Sequence, residues 1–321
     1  MAQTKKRSGK AGIRYDRLIV LIVALALVIT LMVLLVKGII GAFSGTGDSL
    51  PNGTADNTEQ QTTPPAAAPA EYEAVQLSYS DVQSGNLVLV NGATEYMFPE
   101  KMESENIVVL DNKTQSYTVG DNVTKMNRTA LKAFNDMLDA FCGEKAISNV
   151  RFVNGYRTKA AQDSRETTYS EPKGGFSEHN TGLCVDIGMY DAKGECYYSP
   201  TGEYAWINDN CDKYGFILRY APDKESYTSS KGEEYHYRYV GVPHAYYMKK
   251  NNLCLEEYLT LLANDYKYST AKLEVTCYNK EYEIYYFTAA FEGETTVYVP
   301  TNREYTISGD NFGGFIVTAE K

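Results

Sequence analysis

The chain has 321 residues, with 31 Lys and Arg against 41 Asp and Glu, and carries a formal net charge of -10. A 43% apolar and 22% charged make-up excludes wholesale disorder. The acidic balance excludes nucleic acid as the main partner, and the length admits one or two domains.

Charge is uneven along the chain. Residues 1–17 form a basic head, with Lys5, Lys6, Arg7, Lys10, Arg14 and Arg17 against Asp16. Leu18 to Val36 then reads LIVLIVALALVITLMVLLV, 19 residues without a charge. As a helix these would span about 28 Å, close to the hydrocarbon thickness of a bilayer. Apolar character resumes after Lys37, so a transmembrane anchor is expected over 18–43. Basic residues before the span place the N-terminus in the cytoplasm and the remaining chain outside. The apolar run is longer than the core of a cleaved signal peptide. Residues 44–75, rich in Gly, Thr, Pro and Ala, are expected to be a flexible linker.

The body is expected to start at residue 76. NLVLVNG at 86–92 and IVVL at 107–110 read as short strands. Leu131, Phe134, Leu138 and Phe141 recur at helical spacing, which predicts a helix over 129–142 capped by Thr129 and stopped by Gly143. A strand is expected at 150–155, a helix at 157–169, a strand at 183–188 and a helical stretch at 203–214 ending at Gly215. FILRY at 216–220 and YHYRYVG at 235–241 read as strands, Pro243 as a helix start, and 253–263 as a further helix. From about residue 269 the chain is rich in Val, Tyr and Thr between turn residues, as in LEVTC, YEIYYF, TTVYVP and GFIVTA. That pattern predicts a small all-β appendage over 269–321. The mixture without strict alternation predicts an α+β domain over 76–268, a small antiparallel sheet with flanking helices.

Six cysteines occur, none in a C-x-x-C pair. Export permits disulfides, although no pairing follows from the sequence, and a structural thiolate zinc site is not expected.

The chemistry is concentrated in Ser177-Glu178-His179-Asn180-Thr181-Gly182-Leu183-Cys184-Val185-Asp186. Strand alternation puts Cys184 and Asp186 on one face, and an Asp in an apolar strand needs a partner. Fifty residues on, Glu233-Glu234-Tyr235-His236 sets a second histidine beside carboxylates. Alone, each of these residues would more often be structural. Together, two imidazoles and one carboxylate make a three-ligand zinc set with an open position for water, and a nearby Glu can take that water's proton.

These residues resemble the VanY-type D-alanyl-D-alanine carboxypeptidases, zinc peptidases related to the VanX dipeptidases. The family pattern S-x-H-x-x-G-x-A-x-D followed by E-x-W-H appears as Ser177–Asp186 and Glu233–His236. Two further blocks appear in order, Gly155-Tyr156-Arg157-Thr158 with Gln162, and Gly215–Tyr220 with Lys224. The resemblance implies one Zn²⁺ held by His179, Asp186 and His236, with Glu233 as general base and then acid. It implies that Arg157 stabilises the oxyanion or holds a substrate carboxylate, and that Ser177 and Gln162 touch substrate. The activity it implies is D,D-carboxypeptidase trimming of D-Ala from peptidoglycan stem peptides by a membrane-anchored enzyme outside a bacterial cell. An L,D-carboxypeptidase, an endopeptidase and a non-catalytic cell-wall binding module are the alternatives. The chain departs from the pattern at Cys184, where Ala is usual, and at Tyr235, where Trp is usual. The Cys184 side chain is expected on the metal side, where it would crowd the site or add a thiolate.

Overall fold

The computed structural model describes residues 71–110, 114–120, 124–169, 171–190, 194 and 196–321. The basic head, the anchor expected at 18–43 and most of the expected linker lie outside these residues. Among the described residues no helix is long and apolar enough to cross a membrane. Ala66–Lys321 forms one compact unit.

The chain enters on β1 (Tyr72–Ser78). Residues 72–75 were expected in the linker and are instead strand, because Tyr72, Val75 and Leu77 pack on a core with Val297, Val299 and Phe315. Two short antiparallel strands follow, β2 (Ile107–Val109) and β4 (Lys125–Asn127), with β3 (Thr118–Val119) between them in sequence. Helix α1 (Arg128–Lys145) buries Leu131, Phe134, Met137, Leu138 and Phe141, the periodic face read from sequence. Its cap is Asn127 rather than Thr129, since the Asn127 side chain accepts from the amides of Thr129 and Ala130. The helix also passes Gly143 and stops at Ala146, whose left-handed conformation ends it. Next come β5 (Arg151–Asn154), α2 (Lys159–Tyr169), β6 (Cys184–Tyr190) and β7 (Cys196–Tyr197). A run of short helical turns over 202–214, ended by Gly215 at φ 79°, leads into β8 (Phe216–Tyr220) and β9 (Glu233–Tyr239).

The central sheet has the order β3-β5-β6-β9-β8, with β7 attached to β6. It is antiparallel as expected except at β3 and β5, which run parallel. α1 packs on it through a core that includes Phe134, Phe152, Val185, Ile187, Phe216 and Tyr237. The segment 86–92 was expected to be a strand and joins no sheet. Leu87, Val88, Leu89 and Val90 are all buried, which accounts for the apolar run without a ladder. Its backbone is satisfied in other ways: the Leu87 amide donates to Ser308 Oγ at 2.9 Å, and the Val88 carbonyl accepts from Arg238 at 2.7 Å.

α3 (Val242–Lys250) and α4 (Leu255–Asp265) precede an all-β run, as expected. β10 (Leu273–Cys277), β11 (Lys280–Thr288), β13 (Tyr305–Gly309) and β14 (Gly314–Glu320) form a four-stranded antiparallel sheet in the order β10-β11-β14-β13. β12 (Glu294–Pro300) leaves that sheet to pair with β1. β13 was not expected from sequence; its five residues follow turn-forming Asn302 and end at Gly309, too short a run to show alternation. This sheet shares one core with the helices, in which Leu255, Tyr258, Leu259 and Leu262 meet Leu273, Val275, Ile284 and Ile316. Leu262 is fully buried in that shared core. Leu262→Ala is therefore expected to lower unfolding free energy by about 2–5 kcal/mol, read as a shift in urea midpoint with unchanged slope.

Candidate active site

Each sequence-predicted metal ligand is positioned by a different local device. His179 sits in a one-turn helix, Glu178–Thr181, that ends at Gly182 in the left-handed region at φ 71°. A Cβ on Gly182 would lie 2.4 Å from Ile107 Cδ1, so the turn needs glycine for both space and conformation. Asp186 lies on β6, directly opposite His236 on β9 and Asn154 on β5. The antiparallel register thus sets an imidazole and a carboxylate on one sheet face at adjacent positions. Glu233 precedes His236 by an odd number of residues and would normally point away. The β8–β9 ladder shifts register between Leu218 and Tyr220 opposite this stretch, which lets Glu233 and His236 reach the same groove.

The three expected ligands do converge. His179 Nε2 lies 3.2 Å from Asp186 Oδ2, and His236 Nδ1 lies 2.7 Å from Asp186 Oδ1. The other ring nitrogens face groups behind the site. His179 Nδ1 donates to the Gly155 carbonyl at 2.7 Å, which leaves Nε2 as the lone-pair nitrogen of a neutral ring. That close approach also explains Gly155, where a Cβ would meet the Lys125 carbonyl oxygen at 2.4 Å. His236 Nε2 faces Glu178 Oε2 at 3.5 Å. Neutral imidazoles oriented in this way aim lone pairs at a carboxylate that is itself an acceptor. Such an arrangement needs a cation between the groups, either protons or a metal ion.

In the metal-free protein the protons supply it. Burial disfavours the His179 imidazolium, but the Cys184 sulfur and the Asp186 carboxylate more than reverse this and hold its pKa at about 9. Burial likewise pushes Asp186 up, and the two imidazoles overcome it and hold the carboxyl well below its usual range. A metal ion would replace those protons, and the donor set of two imidazoles and one carboxylate fits Zn²⁺.

The convergence point opens into a groove of about 430 Å³. Ser177, Tyr198, Tyr220, Tyr235, Glu233 and Arg157 line parts of it. Glu233 Oε2 lies 4.0 Å from His236 Nδ1, and its side chain is 32% exposed. Burial raises its pKa above the ordinary carboxylate value, against the opposing pull of His236. Glu234 is exposed and absent from the lining, which leaves Glu233 as the carboxylate beside the ligands.

Arg157 reaches the groove from the turn before α2, and its Nη1 donates to Glu171 at 2.6 Å and to Gln162 at 3.0 Å. Gln162, expected to touch substrate, is fully buried and outside the groove lining. Its amide is engaged at both ends, accepting from Arg157 and donating to the Pro172 carbonyl at 2.7 Å, so it fixes the arginine. Glu171 also takes a two-pronged bond from Arg165. The Arg165 and Arg157 hydrogen bonds outweigh partial burial and hold the Glu171 carboxyl at about 2. The third histidine, His244, is elsewhere in the fold, bonded to Tyr258 Oη at 2.8 Å and Thr318 Oγ1 at 3.0 Å.

Glu178 carries a role that motif reading passed over. It is buried and accepts on Oε1 from Arg219 at 2.8 Å and from Arg238 at 2.7 Å. Arg219 in turn makes a two-pronged pair with Glu256 on α4, and Arg238 caps the carbonyls of Asn86 and Val88. Despite complete burial, the two guanidiniums hold Glu178 far below its normal pKa. The available signal was a carboxylate directly beside a candidate ligand, together with single arginines in the strand segments FILRY and YHYRY, which need counter-charges when buried.

A His–Asp–His donor set at the floor of an open groove, with a further carboxylate at its edge, is suited to a one-metal hydrolase. The comparisons agree with that class. A profile described as VanY, D-alanyl-D-alanine carboxypeptidase, matches residues 123–242. The chain is 34% identical over 277 residues to a D-alanyl-D-alanine carboxypeptidase of Enterococcus faecium, covering 83% of this chain and 81% of that one. It is 33% identical over 187 residues to the putative carboxypeptidase YodJ of Bacillus subtilis, covering 54% of this chain and 66% of that one. Among solved structures it resembles the vancomycin-resistance D,D-dipeptidase VanXYg in complex with a D-Ala-D-Ala phosphinate analogue. The TM-score is 0.67 at 27% identity, over 78% of this chain and 99% of that one. The chain belongs to the VanY D-alanyl-D-alanine carboxypeptidase family, and it is an enzyme of the carboxypeptidase type.

Glu178→Ala is expected to lower unfolding free energy by about 3–5 kcal/mol, since buried Arg238 would keep only backbone carbonyls as partners and Arg219 only Glu256; chemical denaturation measures it. Glu171 has a depressed folded-state pKa, so its contribution is present above about 4.5 and is lost as pH falls toward about 2. Glu171→Gln is expected to flatten that part of the stability–pH curve, as followed by thermal unfolding between those pH values.

Proposed function

We propose that this enzyme is a zinc-dependent D,D-carboxypeptidase that removes the C-terminal D-Ala from peptidoglycan stem peptides. The observation that carries the reading is the meeting of His179, Asp186 and His236 at one point, with Glu233 4.0 Å from the second imidazole. The likeness to the Enterococcus faecium carboxypeptidase over most of both chains supports the substrate class. So does the phosphinate analogue held by VanXYg.

His179, Asp186 and His236 would hold one Zn²⁺. Bound there, the ion supplies Lewis acidity toward the scissile carbonyl and makes water more acidic. Glu233 takes a proton from the attacking water as its oxygen bonds to the carbonyl carbon. When the C–N bond breaks, Glu233 returns that proton to the leaving D-alanine amine. Partial burial raises the Glu233 pKa, which makes it a stronger base than a solvated carboxylate. Arg157, locked by Glu171 and Gln162, presents a fixed positive charge to the developing oxyanion or to the substrate's terminal carboxylate. Ser177 lines the same groove and is positioned to bind the peptide, while Tyr198, Tyr220 and Tyr235 offer flat walls to its backbone and methyl groups.

The apolar span at 18–43 would retain the enzyme in the bacterial cell membrane with residues 1–17 in the cytoplasm. The catalytic unit would then work outside the membrane, joined to it by the linker expected from residue 44.

Purified enzyme incubated with muropeptides is expected to release D-Ala from a pentapeptide ending in D-Ala-D-Ala, and to stop on chelation and recover with Zn²⁺. Glu233→Gln is expected to lower kcat by about 10²–10⁴-fold with zinc content unchanged. Release of D-Ala from tetrapeptides alone would reassign the enzyme as an L,D-carboxypeptidase. No metal-dependent release from either would refute the reading, as mass spectrometry of the products shows directly.

A further inference from the structure

The metal centre has one more donor than its family pattern requires. Cys184 stands where the pattern has Ala, two residues before Asp186 on β6 and on the same face of the strand. It is a free thiol and completely buried. His179, Cys184 and His236 each bring one ligand atom to within 4.8 Å of the other two. Nitrogen and sulfur ligands sharing a tetrahedral zinc are about 3.5 Å apart, given bond lengths of about 2.0–2.1 and 2.3 Å. A small inward closure of these side chains would therefore join the sulfur to the ion.

The surroundings leave the sulfur little else to do. Cys184 does not line the substrate groove, so it meets the histidines from within the protein and not from the solvent side. The other buried cysteines among the described residues have ordinary places: Cys211 lies in the core beneath α1, Cys277 in the core shared by α3, α4 and the C-terminal sheet, and Cys254 at the N-cap of α4. Only Cys184, among the described residues, has histidine ligand atoms gathered round it.

We propose that Cys184 is a further, sulfur ligand of this centre, beside His179 and His236, and that it gives the site an affinity for thiophilic ions. Resting on the reading of this centre as a metal site, the assignment concerns a residue outside the expected ligand set. On binding, the thiol loses its proton to solvent and the thiolate sulfur donates to the metal, with no change in oxidation state. Sulfur is a softer donor than carboxylate, so the site should prefer Cd²⁺ and Zn²⁺ over hard ions more strongly than a His–Asp–His centre would.

The test is spectroscopic and does not depend on turnover. Metal-free full-length enzyme in detergent is titrated with Co²⁺ and, separately, with Cd²⁺. Wild type is expected to show both the visible d–d bands of tetrahedral Co²⁺ and a near-ultraviolet sulfur-to-cobalt charge-transfer band. Cys184→Ala should keep the d–d bands and lose the charge-transfer band. Its Cd²⁺ affinity should fall by at least about tenfold, the scale on which even outer partners of a metal ligand act. Because the family pattern carries Ala here, Cys184→Ala is expected to fold; Cys184→Ser provides a second variant of nearly the same size. Cobalt d–d bands without any charge-transfer band in wild type would overturn the assignment and leave the metal site intact. A charge-transfer band that persists in both variants would overturn it as well, by placing the sulfur on another cysteine. Absence of every cobalt band would sink the metal site and the assignment together.

Discussion

The structure is organised around a carboxylate shared by two imidazoles. Asp186 presents one oxygen to His179 and the other to His236, and Asn154 holds the carboxylate from the neighbouring strand at 2.9 Å. Three lone-pair groups so close repel one another unless a cation lies between them. The fold has to bring them together around that charge, whether protons or a metal ion supply it. It does so with paired strands, since Asp186 sits opposite both Asn154 and His236 in the ladders, and backbone hydrogen bonds resist separation of the side chains.

Behind the imidazoles lies a layer of buried charge. Glu178 faces His236 on one oxygen and binds Arg219 and Arg238 with the other. Glu256 completes the network from α4, and the carbonyls of Asn86 and Val88 complete it from the N-terminal segment. An ion network of this kind contributes little net stability compared with apolar packing, because desolvation offsets much of the attraction. What it does supply is a fixed geometry: each guanidinium is held by carboxylates or carbonyls, and Glu178 Oε2 and His236 Nε2 face each other at 3.5 Å with no other hydrogen-bond partner. Through it the centre is tied to helix α4, which also packs on the C-terminal sheet. A second, more exposed cluster of Arg157, Arg165 and Glu171 does the equivalent work at the groove.

Much of the site was legible in the sequence for a chemical reason. Ligand atoms, bases and fixed cations come from few residue types, and local spacing around His179 and Asp186 is set by one turn and one strand. The turn needs Gly182 for its positive φ, and the strand alternates, so Cys184 and Asp186 could be placed on one face before any coordinates. Helix α1 was equally plain from its periodic apolar face. The segment 86–92 was misread because four consecutive apolar residues look the same whether they lie in a ladder or are buried on every side. Gln162 was misplaced for a related reason: a polar residue near a motif can face the substrate or brace the residue that does, and sequence spacing does not separate the two.

The sequence by itself determined the local elements, the donor types and the order in which they occur, because these depend on steric and chemical properties of residues close together in the chain. Only the tertiary structure decided which partners from different elements meet: the register that sets Asp186 against His236, the irregularity that turns Glu233 toward the groove, and the arginines that close on Glu178. Those outcomes depend on strand pairing and on the demand that every buried charge find a counter-charge. Both are properties of the whole packed molecule and of no single segment.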